Sequence, residues 1–375
     1  MVNRKAKEIK QSVNISKKTD KIMLSEHIDF QKRSMNILYT LMLFPLVLIF
    51  MISGLLLQHL FSAKGPDISV VMPIYNSSEF LSDSIDSVLY QTFENFELIL
   101  VNDGSTDNSL EIMQRFANKD KRIKLINLEK NSGAGAARNE GLKHVTGKYT
   151  IFVDSDDYMT PKMLEIMYTQ AEKQNLDMVM CLVYARDNSS DDELYPSEMV
   201  DRKISFQFRY LMANNIEIFS YKNMPKIFFQ IARKYVWDKM IRTSVIKDNR
   251  LYFDNVPSHN DTYFITMAMV HAKRIGYVTK RLYVYRANRK GSVSQKNPDD
   301  LKSVYFTFIK IKQSLENMGI YKELSESFMR WVGVFIPPED WPLPFEEDRI
   351  YRQKLIEFRY GGSLTDIQNQ QSDDK

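Results

Sequence analysis

The chain has 375 residues, of which 44% are hydrophobic and 26% charged, so it can bury the core of one large or two ordinary domains. Its net charge of +4 comes from the start, because residues 1–33 hold nine Lys or Arg against four Asp or Glu, which leaves −1 for the rest. The basic balance is therefore no sign of nucleic-acid binding, and we expect no nucleic-acid partner; the single cysteine, Cys181, excludes an intrachain disulfide or a cysteine-based metal site.

The first segments of the chain predict a flexible tail and a membrane anchor. Residues 1–33 are polar, basic and aperiodic, as is typical of a flexible tail. The 30 residues 34–63 contain no Asp, Glu, Lys or Arg. A helix over the 23 residues 35–57 would be roughly 35 Å long, enough to cross a bilayer. We predict a single transmembrane helix over 35–61, because a cleaved signal peptide is shorter and nearer the N-terminus, and a buried core helix would have a polar face.

The orientation of this anchor stays open. The basic tail favours a cytoplasmic N-terminus and places the body of the chain across the membrane, in a lumen such as that of the Golgi. Two features favour the cytoplasmic face instead. The chain has only one cysteine, and its Asn-x-Ser/Thr sequons at Asn76 and Asn260 fall in segments predicted below to line a site, where a glycan would obstruct it.

From residue 67 onward, predicted strands alternate with predicted helices. The strands cover 68–72, 96–101, 123–128, 149–153 and 178–183, and the helices cover 79–91, 107–118, 134–144 and 161–174. Strands separated by helices of this length pair in parallel, so we predict an α/β body with a doubly wound, mostly parallel sheet. Later segments predict a helix over 263–271, one or two amphipathic helices over 301–331, and a disordered end over 363–375.

Polar clusters follow three of the predicted strands. They are Pro73-Ile74-Tyr75-Asn76, Asn102-Asp103-Gly104-Ser105-Thr106-Asp107 and Asp154-Ser155-Asp156-Asp157. Parallel strands bring their carboxyl ends to one edge of a sheet, where open α/β folds bind ligands. Three carboxylates within four positions predict a divalent cation, Mn²⁺ or Mg²⁺, shared with substrate phosphates. The alternative is that Asp157 and Thr160 cap a helix beginning at Pro161.

Two further features of the sequence suit a nucleotide. Tyr75 offers an aromatic wall for a planar base and Asp103 a carboxylate for an N–H or hydroxyls, although Asp103-Gly104 is also a strong turn signal. The small-residue loop 131–137 leads into a helix that carries Arg138, which suits an approaching diphosphate unless Arg138 is a solvated surface charge. The loop is not a dinucleotide fingerprint, because it follows the third strand and has Arg138 at the third glycine position.

In this order and spacing, the motifs resemble those of family 2 glycosyltransferases, which have the GT-A fold. The matching motifs are Pro73-x-Tyr75-Asn76, Asn102 to Asp107, Gly135-x-x-Arg138-Asn139-x-Gly141 and Asp154-Ser155-Asp156-Asp157, and the resemblance is specific over about residues 67–185. It implies that Pro73, Tyr75 and Asp103, with Asn76 beside them, bind the nucleobase, usually uracil. It also implies that Asp154 binds the ribose and that Asp156 coordinates the metal bridging the diphosphate.

The second half resembles the family more loosely. Val236-Trp237-Asp238-Lys239-Met240 is similar to a Trp-x-Lys-Leu segment, which implies that Trp237 and Lys239 lie on the acceptor side. His259-Asn260-Asp261 stands where the family usually has a Glu-Asp pair, with Asn260 in place of the Glu. By this match Asp261 is the general base, which removes the acceptor hydroxyl's proton during attack opposite the diphosphate. The alternative for Asp261 is a cap of the following helix.

A last motif precedes the C-terminal region. Residues 283–294 are similar to the family's Tyr-Arg-x-x-x-Gly-Ser loop, which closes over the donor. This implies that Arg286 and Ser292 reach phosphate oxygens; a solvated basic loop is the alternative.

The resemblance implies a membrane-anchored, metal-dependent, inverting glycosyltransferase that moves a sugar from a UDP-sugar to a glycan, lipid-linked or other hydroxyl acceptor. After the tail and the anchor we expect a nucleotide-sugar-binding half (67–185), an acceptor-binding and catalytic half (186–295) and a helical C-terminal extension (296–375). Two alternatives stay open. One is a non-catalytic, membrane-tethered sugar-binding module, because of Asn260. The other is a sugar-nucleotide pyrophosphorylase, which would carry a Gly-rich basic loop after the first strand.

Overall fold

A ten-stranded mixed sheet organises the chain in the computed structural model. The structure describes residues 43–44, 65–187, 194–196, 209–231, 235–287, 300–340, 343 and 345–360. The strands are β1 (Ile68–Ile74), β2 (Phe96–Asp103), β3 (Ile123–Leu128), β4 (Tyr149–Phe152), β5 (Tyr158–Met159), β6 (Met178–Asp187), β7 (Leu194–Pro196), β8 (Ile218–Phe219), β9 (Lys239–Arg242) and β10 (Ile275–Ala287). Their order is β3-β2-β1-β4-β9-β6-β10-β5, with β7 beside β6 and β8 beside β10.

Helices connect and cover these strands. They are α1 (Leu81–Leu89), α2 (Ser109–Ala117), α3 (Ala134–Lys143), α4 (Met163–Gln174), α5 (Phe228–Ile231), α6 (Thr243–Asp248), α7 (Asn260–His271), α8 (Leu301–Asn317), α9 (Tyr321–Val332) and α10 (Glu346–Tyr360). The predicted elements of the first half are all present, with ends displaced by a few residues. The segment predicted as one or two amphipathic helices forms two, α8 and α9.

The sheet is only partly parallel. β1 lies between β2 and β4 and pairs in parallel with both, and β3 extends the parallel series beyond β2. The predicted α/β sheet is present, but its parallel pairing does not continue from β4 to β6, because β9 from the second half inserts there and pairs antiparallel with both. β9 has four residues, too few for a hydrophobic period to show in the sequence.

The core lies on both faces of the central strands. β1 and β2 are buried along their whole length, as expected for strands that helices cover on both sides. α3 packs on β1 and β2. Gly141 permits this approach, since a Cβ there would lie 2.5 Å from Val71 Cγ1. The helix that follows the third strand is thereby fixed directly against the strands whose ends carry two of the predicted clusters.

The C-terminal helices join the sheet domain through aromatic packing. Phe229 of α5 stacks on Trp331 of α9 with ring centroids 5.3 Å apart, and Phe308 of α8 meets Trp331 edge-on at 4.9 Å. Buried aromatic side chains supply large apolar areas and make such contacts stabilising. α8 and α9 are therefore packed parts of the domain that contains the sheet.

Within the described ranges, no helix is both long and apolar enough to cross a membrane. The predicted tail (1–33), nearly all of the predicted transmembrane helix (35–61) and the predicted disordered end (363–375) lie outside these ranges. Leu43 and Phe44, inside the predicted anchor, are described and are helical and exposed.

Candidate active site

The three predicted clusters meet at the carboxyl edge of β1, β2 and β4. Asn76, in a left-handed conformation with φ 47°, accepts a hydrogen bond through Oδ1 from the Thr106 N–H at 2.8 Å. Ser77 Oγ lies 2.7 Å from Ser155 Oγ, in the loop after β4. The expectation that parallel strands bring these clusters together is confirmed. Asn76, expected to contact the donor, joins the first two loops to each other.

The predicted nucleobase residues lie at this edge with different exposures. Pro73 is buried within β1, whereas Tyr75, which directly follows the end of β1, is 45% exposed. Asp103 is the last residue of β2; its Oδ1 and Oδ2 accept the N–H groups of Ser132 and Gly133, both at 2.8 Å. Burial raises the pKa of Asp103, against the effect of these two bonds. Each carboxylate oxygen has a further lone pair for a ligand.

Arg138 lies beneath the site with its guanidinium engaged. Its Nη2 donates to Asp154 Oδ1 at 2.6 Å and its Nη1 to Asn260 Oδ1 at 2.9 Å. The side chain is 8% exposed and lies over the Phe253 ring, 5.4 Å from its centroid. Burial alone would lower the pKa of Arg138, but the carboxylates of Asp154 and Asp261 raise it. Arg138 is therefore neither a solvated charge nor, in this arrangement, a free phosphate ligand, because the segment around Asn260 covers it.

The acidic cluster after β4 divides into two kinds of carboxylate. Asp154 and Asp156 are half-buried at the edge, whereas Asp157 is only 1% exposed. Asp157 accepts the Tyr283 hydroxyl at Oδ2 and the Arg286 N–H at Oδ1, both at 2.8 Å. Burial raises the pKa of Asp157 well above its ordinary value, and the neighbouring charges of Asp156 and Asp154 raise it further.

The alternative interpretation, that Asp157 caps the next helix, is wrong. α4 begins at Met163, and Lys162 at its N-cap position makes no side-chain capping bond. Asp157 instead faces β10, through Tyr283 and Arg286. Tyr283 also accepts the Asp154 N–H at 3.2 Å, so the same tyrosine supports two residues of the acidic cluster.

The acidic cluster could supply two carboxylate ligands to a metal ion whose other ligands would be phosphate oxygens. In the described part of the chain, no three His, Cys, Asp or Glu side chains form a ready metal cage. Mg²⁺ is commonly bound by one or two carboxylates together with substrate phosphates, an arrangement that Asp156 and Asp154 allow. Their negative charges also raise the pKa of buried Asp157, and a cation would relieve that repulsion.

Trp237 and Lys239 were expected on the acceptor side. Both are buried in the protein behind the candidate site. Trp237 is 5% exposed and stacks on Tyr283 with ring centroids 4.7 Å apart. Lys239 is fully buried, and its Nζ lies 2.6 Å from Asp238 Oδ1. They are buried because β9 enters the middle of the sheet, and in this arrangement they support Tyr283 and the strand.

Arg286, expected to reach the diphosphate, is held against α1. Its Nη2 lies 3.1 Å from Asp83 Oδ2, and its guanidinium carbon lies 4.9 Å from the Phe80 ring centroid and 5.2 Å from that of Tyr158. Ser292, the other residue expected there, lies outside the described residues.

Asp261 lies in the first turn of α7, which begins at Asn260. His259 takes the N-cap position with φ 56° and makes no side-chain capping bond. A carboxylate in the first turn suits the helix dipole, but Asp261 is also one of the charges that raise the pKa of Arg138. The expected base is therefore within electrostatic reach of the arginine that binds Asp154.

Sequence reasoning missed residues that support the site. Asn139 accepts the Phe253 N–H at 2.8 Å and donates to the Phe253 carbonyl oxygen at 2.9 Å, and Tyr283 supports the acidic cluster. Asn139 belongs to a recognised motif, which was the only available signal. Nothing in the sequence pattern marks its partner 114 residues away.

An α/β sheet with carboxylates gathered at the carboxyl edge of its parallel strands is the arrangement in which open α/β folds bind ligands, and comparisons with known proteins give the family. Residues 69–248 match the model for glycosyl transferase family 2. The cholesterol galactosyltransferase of Borreliella burgdorferi is 30% identical over 303 residues, covering 80% of this chain and 75% of that enzyme. The chain belongs to the family 2 glycosyltransferases.

Two further relatives describe the extent of the likeness. Glycosyltransferase EpsJ of Bacillus subtilis is 33% identical over 231 residues, or 60% of this chain, which spans 62% of the length of EpsJ. The structure of TarS residues 1–349 from S. aureus with UDP-GlcNAc has a TM-score of 0.62 and 24% identity, covering 78% of this chain and 80% of that one. The same TarS fragment with UDP has a TM-score of 0.54 and 25% identity over 71% of this chain and 72% of that one. These structures support the GT-A-like fold.

Proposed function

We propose that this glycosyltransferase moves a sugar from a UDP-sugar to a hydroxyl of a glycan or lipid-linked acceptor, with inversion and with Asp261 as general base. One observation carries the proposal. The Arg138 guanidinium binds Asp154 on the donor side at 2.6 Å and Asn260 at 2.9 Å, and Asn260 is the residue before Asp261. The expected ribose ligand and the expected base are thereby joined through one side chain.

The donor is assigned to the carboxyl edge of β1, β2 and β4. The ring of exposed Tyr75, beside Pro73, provides a face on which the nucleobase stacks. The remaining lone pairs of the Asp103 carboxylate accept a hydrogen bond from the N–H of the nucleobase. Asp154 takes the ribose hydroxyls, with one oxygen already fixed by Arg138. The complex of TarS with UDP supports a uridine nucleotide as the donor.

Asp261 performs the proton transfer in this mechanism. It removes the proton of the acceptor hydroxyl while that oxygen attacks the anomeric carbon from the face opposite the diphosphate. Asp156, with Asp154 beside it, would hold Mn²⁺ or Mg²⁺, which when bound supplies positive charge to the departing diphosphate. Arg138 is assigned to positioning, because its side chain is only 8% exposed and its terminal nitrogens bind Asn260 and Asp154.

The test is UDP release from a donor panel of UDP-galactose, UDP-GlcNAc and UDP-glucose, with and without Mn²⁺. The panel is needed because two relatives are a cholesterol galactosyltransferase and a poly(ribitol-phosphate) β-N-acetylglucosaminyltransferase. We expect Mn²⁺-dependent release, slowed about a hundredfold or more by Asp261→Asn, since general base catalysis contributes about 10²–10⁴-fold. Asp248→Asn, at the exposed end of α6, is the matched control.

Four outcomes would overturn this function. Metal-independent release, or full activity in Asp261→Asn, would contradict the mechanism. UDP binding without release from any donor would favour the sugar-binding module. Formation of UTP from UDP-sugar and pyrophosphate would favour the pyrophosphorylase.

The proposal includes membrane attachment through a single-pass helix over residues 35–61, with the N-terminus in the cytoplasm. Its support is the run of 30 residues without a charged side chain. Protease protection of the full chain in sealed vesicles tests it. Cleavage of the tail alone from the cytoplasmic side is expected, whereas cleavage of the body from that side would place the enzyme on the cytoplasmic face.

A further inference from the structure

We propose that α3 is a docking platform for the segment that carries Asp261, and that Asn139 is the positioning residue on which the alignment of that segment depends. We call residues 253–261 the base segment. The inference rests on the proposed role of Asp261 as general base. It assigns to the Gly135-x-x-Arg138-Asn139 motif a role other than contact with the donor diphosphate.

Asn139 binds the beginning of the base segment through both polar atoms of its amide. Oδ1 accepts the Phe253 N–H at 2.8 Å, and Nδ2 donates to the Phe253 carbonyl oxygen at 2.9 Å. The Asn139 amide therefore pairs with both backbone polar groups of Phe253, as a neighbouring β-strand would. Since Phe253 is 1% exposed, its backbone groups would be left without these partners if the side chain of Asn139 were removed.

Gly135 and Arg138 hold the rest of the base segment against the same helix. A Cβ on Gly135 would lie 2.3 Å from the Asp254 carbonyl oxygen and 3.3 Å from Asn260 Cβ, so the segment lies directly on the first turn of α3. Arg138 then binds the Asn260 side chain at 2.9 Å. Residues at i, i+3 and i+4 share one face of a helix, so Gly135, Arg138 and Asn139 form one contact surface.

The position of Asp261 depends on that of Phe253, because a hydrogen bond joins the beginning of the base segment to its end. The Asp254 N–H donates to the Asn260 carbonyl oxygen at 3.2 Å. Inside the core, Phe253 stacks on Phe264 of α7 with centroids 3.9 Å apart. A shift of Phe253 therefore moves both the start of α7 and the loop that leads to it, and Asp261 lies in the first turn of that helix.

This arrangement predicts a specific kinetic effect of removing the Asn139 side chain. Both polar atoms of its amide face Phe253, so its loss should leave nucleotide binding intact. A general base must lie within hydrogen-bond reach of the proton that it removes. A misplacement of about 1 Å can cost about a hundredfold in rate, so the loss should fall on kcat.

The experiment compares Asn139→Ala with Asn223→Ala in the full chain. Asn223 is a matched control, because its amide also binds backbone on both atoms, at Ser220 N (2.7 Å) and the Ile218 carbonyl oxygen (3.4 Å). It follows β8, which pairs with the amino end of β10, away from the carboxyl edge. The measurements are kcat for UDP release from the preferred UDP-sugar, and the Kd of UDP in the presence of Mn²⁺.

We expect Asn139→Ala to lower kcat by about tenfold to a hundredfold, with the Kd of UDP within about twofold of wild type. Asn223→Ala should retain the wild-type kcat. Where Asn139→Ala does not fold, Asn139→Ser, which keeps a shorter donor and acceptor, is measured in the same way. A kcat within about twofold of wild type, or a proportionate loss of kcat and UDP binding, would overturn the proposal.

Asp261→Asn measured in parallel separates the two proposals. If Asp261→Asn remains active, the assignment of the base fails. If Asp261→Asn is inactive while Asn139→Ala turns over at the wild-type rate, the docking platform alone fails.

Discussion

Buried carboxylates at the amino end and at the carboxyl end of the parallel strands differ in how well protein groups satisfy them and in the direction of their pKa shifts. At the amino end, the Glu97 side chain accepts the Ser69 hydroxyl at 2.6 Å and the Thr146 N–H and hydroxyl at 2.7 and 2.8 Å. Lys124 Nζ lies 2.6 Å from its other oxygen. Burial alone would raise the pKa of Glu97, but these four donors lower it.

At the carboxyl end, burial prevails over the available donors. The pKa values of Asp103 and Asp157 are both raised, first by burial, although each accepts two hydrogen bonds. Buried Nε atoms of Arg138 and Arg286 also lack a hydrogen-bond partner among the described residues. Protein groups alone therefore do not satisfy the polar atoms at this end.

The two ends therefore differ in how far protein groups satisfy their buried carboxylates. Donors and charge fully satisfy the amino-end carboxylate, as is usual for a buried charge that stabilises a structure. The carboxylates at the carboxyl end keep excess negative charge. A cation, and the N–H and O–H groups of a nucleotide sugar, would balance it. Perturbed pKa values in a cleft are typical of functional sites for this reason.

The largest expected effect comes from Asp156→Asn at the carboxyl end. The substitution removes the charge proposed to hold the metal, and loss of one electrostatic stabiliser costs about 10²–10³-fold in rate. We expect Mn²⁺-dependent UDP release to fall by this factor, with the Tm near that of wild type because Asp156 is half-buried at the edge. Glu97→Gln, at the opposite end, is the control and should keep its turnover while folded. Equal losses of activity in the two variants would break the comparison.

A smaller effect, on stability, should distinguish Glu97→Gln from Asp157→Asn. Glu97→Gln replaces a charge that accepts four hydrogen bonds, and should lower the free energy of unfolding by about 2–3 kcal/mol at pH 7. Asp157→Asn can keep the Arg286 N–H contact at Oδ1, whereas donation from Nδ2 to Tyr283 Oη reverses the direction of that bond. Because the substitution also removes the repulsion with Asp154 and Asp156, the net cost should stay below about 1.5 kcal/mol. Urea denaturation measures both. A larger loss in Asp157→Asn would contradict the view that its charge is held at the expense of stability.

Much of this fold could be predicted from the sequence, because the long elements carry clear hydrophobic periods. β1, β2 and the helices after them are such elements, and their polar ends meet by the geometry of a parallel sheet. β9 could not be predicted to enter the sheet, since four residues show no period. The burial of Trp237 and Lys239 follows from that insertion and was missed with it.

The sequence suggested the candidate residues at the carboxyl edge but not the contacts that support them. The carboxylates after β4 and the aromatic residue after β1 stand next to recognisable strand ends. By contrast, the Tyr283 hydroxyl binds Asp157 across 126 residues of sequence, and Arg138 binds Asn260 across 122. Such contacts depend on how distant segments pack, so local patterns suggested a helix cap for Asp157 and a phosphate contact for Arg138.

The smallest expected effect is the acid dependence of the amino-end network. Because the folded-state pKa of Glu97 lies below its ordinary value of 4.5, the unfolded chain binds a proton first as the pH falls. The stability that Glu97 contributes is therefore present above about pH 4.5 and is lost as the pH falls through the folded-state pKa. The difference in unfolding free energy between wild type and Glu97→Gln should shrink from about 2–3 kcal/mol at pH 7 to below about 1 kcal/mol at pH 3. Urea denaturation at pH 7, 5, 4 and 3 measures this difference, and the other acidic groups cancel because both proteins share them. A difference that stays constant over this range would show that Glu97 stabilises the amino end by packing and not by its charge.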